Sequence, residues 1–99
     1  MSDVVHRYVL AYDVTSDNRR VRVAKKLESY GDRLQYSVFL VDIKPARMVR
    51  LKAAVTACLE AGVDSLLICD LGPLVSGHTH RVEFIGARRS FTPHGPIIL

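Results

Sequence analysis

One carboxylate and three guanidinium groups follow each other closely near the N-terminus, and their residue types suit chemistry on phosphate esters. Asp13 ends an apolar run at residues 8–12 and is soon followed by Arg19, Arg20 and Arg22. A carboxylate at the end of a strand can hold Mg²⁺ through one or two oxygens while the metal keeps its waters. Arginines bind phosphate oxygens bidentately and stabilise a phosphoryl transition state. We therefore predict a candidate site in this corner.

Each residue of the corner also has a structural interpretation. Asp13 can accept backbone hydrogen bonds in a turn, or it can form an ion pair with Arg20 that ties the helix to the strand. A single carboxylate is a poor magnesium site, and the next one along the chain, Asp17, is placed to cap a helix. In a symmetric dimer with these corners facing each other, two copies of Asp13 could share one ion.

Length and composition predict one domain with a single core. The chain of 99 residues has 14 Lys and Arg against 10 Asp and Glu, a formal charge of +4. Arginine dominates the cations, which favours a nucleic-acid partner, although a solvated basic surface explains the composition equally well.

No segment is long and apolar enough for a membrane span and the N-terminus lacks a secretory pattern, so we expect a cytoplasmic protein without a membrane partner. Cys58 and Cys69 are expected to be buried free thiols.

A strand and a helix are predicted to position the corner. The apolar run predicts a strand over residues 4–12 with a frayed start, and helical periodicity predicts a helix over 17–30 that Gly31 caps. The apolar stripe of this helix consists of Val23, Ala24, Leu27 and Tyr30. Arg20 extends the stripe by one turn, so its side chain is expected to point back towards Asp13.

Residues 32–44 read as extended structure with one apolar face. That face would carry Leu34, Tyr36, Val38 and Leu40. Phe39 falls on the opposite, mostly polar face, where it either packs under another element or awaits a partner. Periodicity is compatible with one bent strand or with two short strands in a tight hairpin.

The second half of the chain predicts a helix over 45–61 stopped by Gly62, and a buried strand over 65–71. An irregular connection over 74–81 leads to a short strand at 82–85, and the tail 87–99 ends in three apolar residues. Such an end suggests docking against a second copy. His78, His80 and His94 are expected to be solvated loop residues. The order of elements predicts an α+β domain of split βαβ architecture.

Several of these segments, taken together, resemble the Cas-two family of small CRISPR-associated proteins of spacer acquisition. The segments are residues 8–14, 20–27, Tyr30-Gly31 and above all Arg33-Leu34-Gln35-Tyr36-Ser37-Val38-Phe39. The resemblance covers most of residues 8–71 and thins to Val82, Ile85 and Gly86 beyond.

This resemblance implies a ferredoxin-like βαββαβ fold spanning residues 1–99 as one domain. It implies two short strands between residues 33 and 43. It also implies a homodimer in which the last strand of each protomer, within residues 81–99, adds to the sheet of the other.

The resemblance also implies a site and an activity. Asp13 would be the Mg²⁺ ligand at the dimer axis and, with Arg20 and Phe39, would form the catalytic set. The match places Tyr12, Arg22, Arg33 and Ser37 around this cleft, where they would contact nucleic acid. Arg19 is added to this set because it lies in the arginine-rich corner after Asp13. The implied reaction is metal-dependent hydrolysis of phosphodiesters in single-stranded RNA or double-stranded DNA.

Two other functions are compatible with the sequence. The dimer can be a basic scaffold that binds a duplex and bridges two dimers of the Cas-one integrase without chemistry of its own. It can also be a ferredoxin-like regulatory or ligand-binding dimer that binds no nucleic acid.

Overall fold

The computed structural model describes residues 4–74 and 82–87 as two helices packed on a four-stranded antiparallel sheet. The elements follow in the order β1 (His6–Asp13), α1 (Asp17–Glu28), β2 (Asp32–Gln35), β3 (Val38–Ile43), α2 (Pro45–Thr56) and β4 (Ser65–Pro73). The order of strands across the sheet is β2-β3-β1-β4. This confirms the predicted α+β, ferredoxin-like architecture.

Helix α1 places the residues that follow Asp13. Its N-cap is Ser16, whose hydroxyl accepts the backbone N–H of Arg19 at 3.3 Å, so the capping role predicted for Asp17 is wrong. Asp17 instead lies in the first turn, where a carboxylate is favoured by the helix dipole. The buried stripe contains Val23, Ala24 and Leu27, as the periodicity predicts.

Gly31 does not cap α1 in a left-handed conformation, because positive φ angles among the described glycines occur at Gly62, Gly72 and Gly86. Its role is steric. A Cβ at this position would lie 2.2 Å from the carbonyl oxygen of Leu40 and 2.8 Å from a methyl of Val41. The glycine therefore lets the backbone after α1 pass close to β3.

The segment after Gly31 forms two strands, as the family resemblance implies, with Tyr36 and Ser37 in the turn between them. The register of the two strands is irregular between Arg33 and Gln35, but Arg33 lies opposite Phe39 on the same face, as the alternation predicts. Phe39 lies in the core with Val41 and Ile43, so of the two alternatives left open by the sequence it takes the first and packs under other elements. Tyr36, predicted on the apolar face, is 67% exposed.

Helix α2 begins at Pro45, a residue that suits a first helical turn because it needs no hydrogen-bonded N–H. It ends at Thr56, five residues before the predicted end, and Gly62 lies in a later turn with φ of 80°. The inward residues Met48, Leu51 and Val55 are buried as predicted.

The two faces of the sheet differ. The first face packs on the helices through residues such as Leu10, Phe39 and Val41. The second face carries cross-strand rows in which Val9 pairs with Leu40 and Cys69, and Ala11 pairs with Val38 and Leu67.

The prediction that residues 65–71 form a fully buried strand is wrong, because β4 lies at the edge of the sheet and packs on the core through one face. On its other face Leu67 is 61% exposed and Cys69 is also exposed, against the prediction of a buried thiol. Cys58 is half-buried and packs against the core.

The remaining predictions concern the ends of the chain. His6 and Arg7 are not frayed: they belong to β1 and pair with Asp70 and Asp42. No strand is assigned over 82–87; residues 82–85 line a cavity with Val9, Leu34 and Val38 on the second face. Addition of this segment to a partner's sheet stays a prediction. His78, His80, His94 and the tail 88–99 lie outside the described residues. No described helix is long and apolar enough to cross a membrane.

Candidate functional site

Asp13 is an exposed carboxylate at the end of β1, on the second face of the sheet and in register with Ser65 of β4. Within residues 4–74 and 82–87 its side chain forms no hydrogen bond or ion pair, so neither structural interpretation of Asp13 is observed there. Arg20 does not pair with it. The carboxylate is thus available to an external cation or ligand.

Arg20 is held at the connection between β1 and α1. Its Nη1 donates to the carbonyl oxygen of Val14 at 2.8 Å, and its Nη2 pairs with the carboxylate of Asp17. The side chain remains 40% exposed. Arg20 is therefore fixed at the start of α1 while its side chain remains partly exposed to solvent.

Tyr12 and Arg33 join the end of β1 to the β2–β3 turn. The Tyr12 hydroxyl donates to the carbonyl oxygen of Tyr36 at 3.1 Å and accepts from Arg33 at 3.4 Å. Burial raises the pKa of Tyr12 more than the positive charge of Arg33 lowers it, which keeps the hydroxyl protonated as a donor. The Arg33 guanidinium also donates to the Tyr36 carbonyl at 3.0 and 2.8 Å and to Glu28 at 3.5 Å.

Ser37 joins this network through its backbone, because its carbonyl oxygen accepts the N–H of Tyr12 at 3.0 Å. The structure thus brings three of the predicted nucleic-acid residues, Tyr12, Arg33 and Ser37, to one end of the sheet. Their observed contacts hold the turn in place.

Phe39 occupies a different position from the predicted one. Its ring is 0% exposed, 6.2 Å from the ring of Tyr12 and 5.5 Å from the guanidinium carbon of Arg33. A ring without exposed surface cannot touch a substrate, so the predicted catalytic contact of Phe39 is corrected to a packing role beneath Arg33.

Arg19 is committed to Asp64 in the connection between α2 and β4. Its Nε donates to Asp64 at 2.6 Å and its Nη2 at 3.1 Å, and Nη1 pairs with Glu60 at 3.2 Å. The hydrogen bonds from Arg19 and from the N–H groups of Glu60 and Thr15 lower the pKa of Asp64 to about 2. Arg19 thus forms an internal clamp between α1 and the α2–β4 connection, and its contact with nucleic acid stays a prediction.

Sequence reasoning did not single out Asp64. Its side chain has no exposed surface and it receives four hydrogen bonds in total, from Arg19, Thr15 and Glu60. The only signal in sequence is an acidic residue shortly after a turn glycine, Gly62. That pattern does not indicate a partner 45 residues away.

Arg22 is exposed and lines a cavity with Arg19, Cys58 and Glu60. Its side chain forms no ion pair or hydrogen bond with the part of the chain that the structure describes. Arg19 and Arg22 thus lie towards the α2–β4 connection, apart from the group around Tyr12. The predicted site residues form two groups, with Arg20 beside the first.

Metal binding by one chain would depend on Asp13. The described residues contain no cluster of three or more His, Cys, Asp or Glu side chains that could hold an ion. A single exposed carboxylate fits Mg²⁺, which commonly takes one or two carboxylates, several waters and phosphate oxygens of the substrate. The donor set is therefore compatible with magnesium when a substrate or a second Asp13 completes it.

The fold and the strand-ending carboxylate place the chain among ferredoxin-like α+β domains with a candidate site at a sheet end. The family model for CRISPR associated protein Cas2 matches residues 6–73. The chain belongs to this family, so the resemblance to the Cas-two proteins is confirmed.

Relatives match most of the chain. It is 42% identical over 96 residues to a protein of Rhodospirillum rubrum named CRISPR-associated endoribonuclease Cas2 3, covering 92% of this chain and 98% of that one. A CRISPR-associated endoribonuclease Cas2 of Thermus thermophilus is 36% identical over 85 residues, covering 86% and 90%.

Solved structures agree with the fold. The structure of Streptococcus pyogenes Cas2 superposes with a TM-score of 0.66 at 30% identity, covering 81% of this chain and 99% of that one. Hypothetical protein TT1823 from Thermus thermophilus gives 0.71 at 33% identity, covering 85% and 94%. The family assignment argues against a regulatory dimer that binds no nucleic acid.

Proposed function

We propose that the protein is a CRISPR-associated endonuclease that hydrolyses phosphodiester bonds of single-stranded RNA or double-stranded DNA as a Mg²⁺-dependent homodimer. The observation that carries the proposal is the exposed Asp13 carboxylate, which has no partner among the described residues. Relatives that cover most of this chain are named endoribonucleases, which supports the reaction class.

The second face of the sheet supports the homodimer. Apolar residues, among them Val9, Leu40 and Leu67, lie on this face, and Asp13 lies at its end. Burial of such a face is worth about 25 cal/mol per Å² of apolar surface. In an isologous dimer each residue of the face meets the same patch of the partner. A two-fold axis near the end of β1 would then bring two Asp13 carboxylates to one interface.

The residues of each chain would divide the work of hydrolysis. Asp13 would hold the metal through its carboxylate oxygens. Bound Mg²⁺ would supply an activated water and offset charge on the phosphate oxygens. Arg20, which donates to the Val14 carbonyl and has a partly exposed side chain, would bind the phosphate.

Replacement of Asp13 by Asn tests the proposal because it keeps the shape of the side chain and removes its charge. We expect Asp13→Asn to lose at least about 100-fold in Mg²⁺-dependent cleavage, since even partners of metal ligands cost 10- to 100-fold. Cleavage of matched RNA and DNA would be followed in a magnesium titration with EDTA as blank. Light scattering would establish that wild type and variant are both dimers.

Asp32→Asn is the matched control, because Asp32 is also an exposed carboxylate on a strand of the same sheet. It should cleave like the wild type. Equal cleavage by Asp13→Asn and wild type would contradict the proposal, and a monomeric wild type would contradict the shared site.

Exposed cations on both helices favour the scaffold as a second candidate. They are Arg22, Lys25 and Lys26 on α1 and Arg47, Arg50 and Lys52 on α2. Such residues can bind phosphates without reading bases, with affinity that falls steeply as salt rises. If the dimer chiefly bridges the Cas-one integrase on a duplex, Asp13→Asn should still support spacer acquisition in cells. Loss of acquisition with integrase binding intact would favour catalysis.

A further inference from the structure

A groove between α1 and the β2–β3 turn combines cations with an exposed aromatic ring. Its cations are Arg20, Lys25 and Arg33, its apolar surface comes from Val21 and Ala24, and Tyr36 forms one side. Glu28 also lines the groove but is paired with Arg33 at 3.5 Å. The three cations and single carboxylate leave an excess of positive charge, which suits a polyanionic ligand.

The position of Tyr36 in this groove is fixed through its backbone. Its carbonyl oxygen accepts hydrogen bonds from Arg33 and from the Tyr12 hydroxyl. The guanidinium carbon of Arg33 also lies 5.8 Å from the centre of the Tyr36 ring. A ring that is 67% exposed on an anchored turn presents an aromatic surface at little entropic cost.

We propose that Tyr36 is a stacking platform for a base of a single-stranded nucleic acid whose phosphates are bound by Lys25 and Arg20. Bases of a single strand can be splayed onto aromatic side chains, whereas paired bases in a duplex cannot. This inference rests on the proposed function, because the strand in the groove would be the substrate. Tyr12, whose hydroxyl anchors the turn, directly precedes Asp13 at the end of β1, but the two side chains lie on opposite faces of the sheet, so a strand bound in the groove would reach the carboxylate by passing around this end.

The test compares two probes in EDTA, where cleavage does not interfere. One is a fluorescein-labelled 12-nucleotide oligouridine RNA, and the other is a sugar–phosphate strand of equal length without bases. Wild-type protein should bind the oligouridine more tightly. Tyr36→Ala should weaken oligouridine binding by roughly 5- to 150-fold, the range for one stacked base, and leave binding of the abasic strand unaffected.

Two further variants separate stacking from charge. Tyr36→Phe keeps the ring and should bind oligouridine like the wild type. Lys25→Ala should weaken both probes equally and reduce the salt slope by roughly 0.7, the value for one phosphate contact on a single strand. Lys44→Ala removes an exposed lysine outside the groove and should change neither probe.

The inference is overturned if Tyr36→Ala binds oligouridine as tightly as the wild type does. It is also overturned if the substitution weakens binding of a 12-base-pair RNA duplex as much as binding of the single strand. Thermal unfolding of Tyr36→Ala would establish that the variant is folded. Asp13→Asn should bind the oligouridine normally. If Tyr36→Ala binds oligouridine more weakly but the wild type does not cleave it, the stacking proposal holds and the nuclease proposal is refuted. If Tyr36→Ala binds normally and cleavage depends on Asp13, the nuclease proposal holds and the stacking proposal is refuted.

Discussion

Phe39 provides the clearest test of whether a side chain at this site contributes stability or chemistry. Its ring is fully buried opposite Leu10 in the register of β1 and β3, and it lies against Tyr12 and Arg33. The structure predicts that replacing Phe39 changes the free energy of unfolding and leaves the cleavage rate per folded molecule unchanged.

The magnitude follows from the complete burial of the ring. Phe→Ala replacements at buried sites cost about 3–5 kcal/mol. The pairing of the ring with Tyr12 places Phe39→Ala towards the upper end, because such pairs contribute about 0.5–1.5 kcal/mol beyond their buried area. Since domains are stable by only about 5–15 kcal/mol, Phe39→Ala should be close to unfolding. Phe39→Leu keeps most of the volume and should cost about 1–2 kcal/mol.

Urea unfolding followed by circular dichroism at one protein concentration measures these losses. Cleavage is then divided by the folded fraction under assay conditions. Leu51→Ala is the matched control, because Leu51 is equally buried but belongs to α2; it should cost about 2–5 kcal/mol. If Phe39→Leu is folded yet inactive while Leu51→Ala retains activity per folded molecule, the packing role assigned to Phe39 is refuted.

Two further predictions concern the connections of the fold. Gly31→Ala should cost more than 1–3 kcal/mol, the usual cost of overpacking, because the new Cβ meets the Leu40 backbone at 2.2 Å. Gly62→Ala, with nothing within 4 Å, should cost only about 1–2 kcal/mol of backbone strain in chemical denaturation; equal losses would contradict the steric role. Asp64→Asn should destabilise the protein at neutral pH. Because the folded pKa of Asp64, about 2, lies below the ordinary 3.8, this stabilisation is present above about pH 4 and is lost as the pH falls towards 2. A difference in unfolding free energy between wild type and Asp64→Asn that does not shrink over this range would contradict the clamp.

Helical periodicity predicted the α1 core because each inward residue belongs to a continuous element with a constant period. The same kind of reasoning placed Phe39 on the face of Arg33 but did not decide what covers it. Alternation along a strand assigns residues to two faces but does not tell which face the helices cover, and here they cover the face of Phe39 and leave Val38 and Leu40 on the other. The family resemblance indicated the hairpin, whereas hydrophobic periodicity did not decide between one bent strand and two short strands.

The misjudged burial of β4 is itself informative. A continuous apolar run such as Leu66-Leu67-Ile68-Cys69 is typical of a strand covered on both faces. In the chain described here the helices cover one face, and Leu67 and Cys69 lie on the other. The pattern therefore fits an assembly better than a single chain, which supports the proposed homodimer on the second face.

The arginines show why composition overestimates the surface available to nucleic acid. Three arginines contact carboxylates of the same chain. Arg7 pairs with Asp42 and Arg19 pairs with Asp64, both distant in sequence, and Arg33 pairs with the nearby Glu28. The partner carboxylates of these three arginines are at most 33% exposed, and each guanidinium must lose its partner before it binds a phosphate, so its net contribution to affinity is small; Asp17, the partner of Arg20, is by contrast 88% exposed. Lys25 has no ion pair among the described residues and faces the groove. The salt dependence of binding should therefore respond more to Lys25→Ala than to replacement of Arg33, although Arg33 belongs to the family motif.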